Sequence, residues 1–185
     1  SRGLGDVYKR QDCGSVDFSG VTHVYSTDRA FVAVNQAAGT GTCWGAGYWG
    51  GSCDSVDFSG VTHVYSTAEG AFVAVNQAAG TGTGWGVRSC DSVDFSGVTH
   101  VYSTAEGAFV AVNQAAGTGT GWGVRSCDSV DFSGVTHVYS TAEGAFVAVN
   151  QAAGTGTGWG VRSCDSVDFS GVTHVYSTAE GAFVA

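Results

Sequence analysis

A chain of 185 residues with 30 glycines, no proline, no methionine, no isoleucine and a single leucine, Leu4, has to build its core from valine and aromatic rings. Those residues suit a pleated surface better than a helix, so an all-β architecture is the first expectation. A formal charge of −9 argues against a nucleic-acid partner, whose phosphates need clustered Lys and Arg, and the apolar runs AFVAV are far shorter than the ~20 residues that span a bilayer.

In chain order, residues 1–11 (SRGLGDVYKRQ) match nothing further on, and DVYKRQ resembles the translation of a transposon-end sequencing adapter. We expect a non-native, disordered leader outside the fold, which leaves localisation unknown because a natural N-terminus would be missing. A repeat begins at residue 12. Its first copy, 12–52, is diverged; the copies at 53–89, 90–126 and 127–163 are identical; a fifth, 164–185, stops half-way, inside what reads as a strand in the others. The chain is expected to be an open segment of a longer array, its identical copies reflecting recent duplication or a mis-assembled repeat. A tandem period of 37 residues marks a propeller, solenoid or array whose units bury their apolar faces against one another.

One repeat, 90–126, predicts four short strands. SVDF (92–95) places Val93 and Phe95 on one side of a short strand ended by Ser96 and Gly97. VTHVYS (98–103) puts Val98, His100 and Tyr102 on one face and Thr99, Val101 and Ser103 on the other. AFVAVN (108–113) is apolar on both faces, as a central, doubly covered strand requires. GTGTGWG (117–123) sets Thr118, Thr120 and Trp122 opposite a bare glycine face that another backbone could approach closely. A helix over AEGAFVAVNQAA competes, with Ser103 and Glu106 as a capping box and Gly117 beyond its end. The first copy decides against it: STDRAF replaces STAEGAF there, one residue shorter between unchanged flanks, a change that a hairpin absorbs more easily than a helix. The expected core of each unit is Val98 or Val101 with Phe109, Val110, Val112 and Trp122.

In the first copy, Gly20-Val21, the run 30–34 (AFVAV), Trp44-Gly45 and Gly50-Gly51 resemble the regulator of chromosome condensation repeat, a likeness that extends from Cys13 to Ala185. The resemblance implies a β-propeller of four-stranded blades and, in most members, a binding scaffold; the founding activity is nucleotide exchange on a small GTPase at chromatin. This chain departs from that pattern in its shorter unit, its acidic charge and the WGVRSC of the identical copies, which lacks the double glycine.

Five of the six cysteines (Cys13, Cys53, Cys90, Cys127 and Cys164) are one position in successive copies, and no CxxC pair occurs. Small, half-buried side chains at repeat joints explain them better than zinc ligands. Cys43 stands where later copies have Gly84, Gly121 and Gly158, and an oxidising compartment would allow a Cys43–Cys53 disulfide. The histidines (His23, His63, His100, His137 and His174) read as hydrogen-bonded core or edge residues. Asp94, Ser96 and His100 form a Ser/His/Asp set by residue type alone, and GTGTG lacks the lysine and helix of a phosphate loop.

The expectation is therefore an all-β array of 37–40-residue units forming an open arc of a β-propeller, with a β-solenoid as the alternative. In a solenoid Asp94, Asp131 and Asp168 would stack into an acidic ladder. Functionally it reads as a non-catalytic scaffold without cofactor or metal that binds an unidentified protein through the turns 104–107 and 114–116 and the joint 124–127. Tyr48 and Trp49 are the candidates for a distinct partner contact or for capping a blade, and self-association is expected through open blade edges. The alternative is part of a guanine nucleotide exchange factor, or of a larger enzyme carrying propeller repeats.

Overall fold

The computed structural model describes residues 14–87, 93–123, 130–160, 168–180 and 182–185; the leader, the joint 124–127 and the thiols Cys13, Cys90, Cys127 and Cys164 lie outside them. Among the described residues the regular structure is strand, apart from one 3-10 turn, Gly47–Trp49. Unit 1 contributes β1 (His23–Ser26), β2 (Ala30–Asn35) and β3 (Thr40–Gly45); unit 2 contributes β4 (His63–Ser66), β5 (Ala71–Asn76) and β6 (Thr81–Gly86). Units 3 and 4 repeat the plan as β7 (His100–Ser103), β8 (Phe109–Asn113), β9 (Thr118–Trp122), β10 (His137–Ser140), β11 (Phe146–Asn150) and β12 (Thr155–Trp159), and unit 5 ends in β13 (Tyr176–Ser177) and β14 (Phe183–Val184).

Among the described residues strands pair only within their own unit, as antiparallel meanders ordered first, second, third in units 1 to 4 and as the pair β13–β14 in unit 5. A β-solenoid would pair each strand with its equivalent in the next unit, so this pairing rules against the alternative. The sheets instead pack face to face, with successive first strands approaching most closely. The result is an open arc of three-stranded, propeller-like blades with β1, β4, β7, β10 and β13 along its inner side. The AFVAV strand is the middle one of its sheet, and its alternating residues enter two different cores. Ala30, Val32 and Val34 of unit 1 pack against Phe58, Val64, Phe72, Ala74 and Trp85 of unit 2, while Ala71, Val73 and Val75 of unit 2 pack against Phe95, Val101, Phe109, Ala111 and Trp122 of unit 3. Both candidate valines, Val98 and Val101, are buried, as are Phe109, Val110, Val112 and Trp122.

The expected fourth strand is not formed. Asp94 accepts the Ser96 N–H at 2.8 Å, and Val98 N–H donates to the Phe95 carbonyl at 3.1 Å, so the segment is a side-chain-closed turn. The turn delivers Phe95 across the joint into the previous unit. A Cβ on Gly82 would overlap the Phe95 ring, and Gly41, Gly119 and Gly156 stand in the same relation to Phe58, Phe132 and Phe169. The bare face of GTGTG therefore receives a ring from the next unit, where sequence alone suggested a backbone. Three of those rings, Phe58, Phe95 and Phe132, also meet the tryptophan of their own sheet edge-on, as Phe95 meets Trp122 at 5.7 Å.

The hairpin that replaces the rival helix is closed by a buried threonine: Thr67 N–H donates to the Ala71 carbonyl at 2.9 Å, and Ala71 N–H donates to Thr67 Oγ1 at 3.1 Å. Gly70 and Gly107 take φ of +99° and +89°, the left-handed conformation that the longer turn needs.

Candidate interaction surface

Polar bonds fix the spacing of the units. Ser66 Oγ donates to the Ser26 carbonyl at 2.9 Å, and Ser103, Ser140 and Ser177 repeat the bond to Ser66, Ser103 and Ser140 at 3.0 Å each. One turn further on, Asp28 N–H donates to the Ala68 carbonyl and Glu69 N–H to that of Ala105. Sequence offered Ser103 only as a cap of the rival helix and Thr104 only as part of a free turn, not as links between or closures of units; their signal is a small hydroxyl recurring at the end of every first strand. The turn 104–107 is consequently no free tip: Thr104 is buried, and Glu106 N–H donates to the Ala142 carbonyl of the next unit. In the second turn Gln114 reaches the Val135 carbonyl at 3.5 Å, which leaves Ala115 and Ala116 exposed.

On the inner strands each exposed histidine stacks on the tyrosine two residues later, His100 on Tyr102 at 6.0 Å and 14°, with its equivalents in the other four units. Burial holds the Tyr25, Tyr65 and Tyr102 hydroxyls above the usual phenol range; neighbouring tyrosines add to the effect on Tyr65, and a hydrogen bond with the Val64 backbone opposes it at Tyr25. The histidines thus form an exposed edge row, and Asp94, Ser96 and His100 do not converge: Asp94 and Ser96 close a turn, while His100 Nδ1 lies 3.1 Å from Thr99 Oγ1. The turn bond to Ser96 holds the Asp94 carboxyl below the usual range. Among the described residues no group of three or more His, Cys, Asp or Glu is arranged to hold a metal.

The first joint differs from the rest. Cys43 occupies a position on β3 that is glycine in later units and faces unit 2, where it is bonded to Cys53 across a Cα–Cα distance of 5.8 Å. Beside the bridge a groove of about 560 Å³ opens between β3 and the segment 51–58, with Thr40, Thr42, Asp54, Asp57 and Phe58 in its walls. The longer linker of unit 1 holds the 3-10 turn Gly47–Trp49. Its Gly50 carbonyl accepts Trp85 Nε1–H at 3.1 Å, and its Trp49 lies against Gly70, where a Cβ would come within 2.7 Å of the indole. The Arg29 guanidinium sits 4.5 Å above the Trp49 ring. Trp49 is thus half-buried in the joint between Arg29 and Gly70, whereas Tyr48, edge-on to Trp49 at 5.8 Å, is 73% exposed. Among the described residues Trp122 Nε1 and Trp159 Nε1 are buried and have no hydrogen-bond partner.

Among the described residues no helix is long and apolar enough to cross a membrane. Comparison with known protein families and with curated proteins found no match to the chain.

Proposed function

We propose that the array is a non-catalytic scaffold for protein–protein interaction, presenting one surface once per unit and a second, distinct contact at the first joint. The observation that carries this reading is the serine-linked inner row, in which every unit holds the same His–Tyr pair on the same strand. A rigid spacing of equal contacts raises affinity through effective concentration without any one contact being strong. Catalysis needs one asymmetric constellation, and the asymmetric part of this chain carries a disulfide, Tyr48 and Trp49. The resemblance to the regulator of chromosome condensation repeat supports the same role, since its members act mostly as scaffolds; three strands per unit instead of four weigh against carrying over its exchange activity.

The test is a series of arrays with units removed one at a time from the C-terminal end, each immobilised and exposed to candidate partners. Retention should fall steeply with each unit lost, and Tyr48→Ala should weaken it by a constant factor at every length. Accelerated nucleotide release from a small GTPase, or turnover of any substrate, would overturn the scaffold in favour of the exchange-factor or enzyme alternative.

A further inference from the structure

Among the described residues no strand covers the outer edge of the third strand in units 1 to 4. At unit 1 the linker beyond that strand is described in full, and the register shows which backbone groups the edge presents. Ala46 N–H donates to the Arg29 carbonyl at 2.9 Å, and alternation makes Phe31 with Trp44, Ala33 with Thr42, and Asn35 with Thr40 the hydrogen-bonded pairs of β2 and β3. The N–H and C=O groups of Gly41 and Cys43 therefore point away from β2, and among the described residues no backbone group bonds them. The groove of about 560 Å³ opens along this edge: consecutive residues, Gly39–Cys43, line it, so it follows the strand and is not confined to one pleat face. Its opposite wall, 51–58, is tied to β3 by the Cys43–Cys53 bridge and carries the exposed carboxylates of Asp54 and Asp57; among the described residues no Lys, Arg or His lines it.

We infer that this groove binds an extended, cationic peptide segment of a partner protein, which adds to β3 as a fourth strand of the first blade. The open N–H and C=O groups supply the main-chain ladder of strand addition. At the strand rise the stretch Gly39–Cys43 spans about 16 Å, room for about five residues of peptide. The acidic wall selects the charge: alternate side chains of the added strand point to one face, where Lys or Arg can pair with Asp54 and Asp57. A second copy of this chain is the poorer occupant, because its formal charge is −9 and its own β3 edge brings the same two carboxylates. The inference deepens the scaffold reading and rests on it, assigning the distinct contact at the first joint to an open sheet edge.

Binding of a labelled peptide of alternating Lys and Thr to the whole chain tests it, followed by fluorescence anisotropy and by amide hydrogen exchange. The Lys probe should bind saturably and slow exchange at Gly41 and Cys43. The same probe methylated on its backbone nitrogens, and one with Glu in place of Lys, should each bind at least ~10-fold more weakly, as loss of the main-chain hydrogen bonds or reversal of the charges predicts. Asp54→Asn combined with Asp57→Asn should weaken the Lys probe at least ~3-fold. Asn keeps the side-chain oxygen that accepts the Ser59 N–H at 2.9 Å, so the turn and the far-ultraviolet spectrum should stay as in the parent. Absence of saturable binding, equal binding of the methylated or the Glu probe, a double Asn variant that binds like the parent, or exchange slowed elsewhere but not at Gly41 and Cys43 would each overturn the inference. Exchange at those two amides that slows with chain concentration alone would overturn it in favour of edge pairing between two copies. Failure of the probe leaves retention by the inner row unchanged, whereas substrate turnover or nucleotide exchange would overturn the scaffold and leave probe binding intact, so the two failures are distinguishable.

Discussion

At the scale of residues, the two tryptophan environments make opposite forecasts for one substitution. Trp85→Phe strands the Gly50 carbonyl that now accepts the indole N–H and should cost about 1–3 kcal/mol. Trp122→Phe removes a buried donor that has no partner among the described residues and should be close to neutral or stabilising, the ring stacking on Phe109 being retained. Urea unfolding of the two variants beside the parent checks the contrast, and equal losses would contradict the assignment of the Gly50 carbonyl as the acceptor. The half-buried tyrosines give a forecast with pH. Their folded pKa lies above the unfolded value, so the folded state holds protons that the unfolded state has released; the stability they contribute is complete below about pH 10 and is lost as pH rises through the folded value. Tyr65→Phe should flatten that alkaline decline, read as the urea midpoint at about pH 9 and about pH 11. The turn aspartates act in the other direction: their carboxyls are held low, so what they contribute above the ordinary carboxylate range is lost only as pH falls through the lower folded value.

At the scale of elements, the central strand was legible because AFVAVN is apolar on both faces, a pattern that an edge strand or an amphipathic helix does not need. The glycine face of GTGTG was legible as space, but its occupant was not, because periodicity describes one element at a time and Phe95 arrives from the next unit. SVDF was misread for a related reason: its alternation imitates a strand, while the Asp–Ser bond that wins depends on a residue two places on. Cys43 and Cys53 were legible as a pair because Cys43 breaks the repeat. The bridge has a sequence separation of 10, for which loop closure gives about 2–3 kcal/mol. Denatured chain should titrate four of its six thiols before reduction and six after it, and the reduced protein should lose protection first at the joint of units 1 and 2. Six thiols without reductant would contradict the bridge.

At the scale of the whole molecule, stability should be carried joint by joint, because the extensive apolar contacts lie between successive sheets and no sheet shares strands with another. The central claim is that each joint is locked by a phenylalanine ring seated on a glycine of the preceding sheet, and a double-mutant cycle across one joint tests it most directly. Gly119→Ala pushes a methyl group into the Phe132 ring and should cost about 1–3 kcal/mol as an overpacked contact. Phe132→Ala should cost about 3–5 kcal/mol. In the double variant the methyl group enters space that the ring has vacated, so the combined loss should fall short of the sum by about 1–2 kcal/mol, whereas Gly119→Ala combined with Phe95→Ala, one joint away, should be additive within about 0.5 kcal/mol. Additivity across Gly119 and Phe132, or equal coupling to Phe95, would contradict the account.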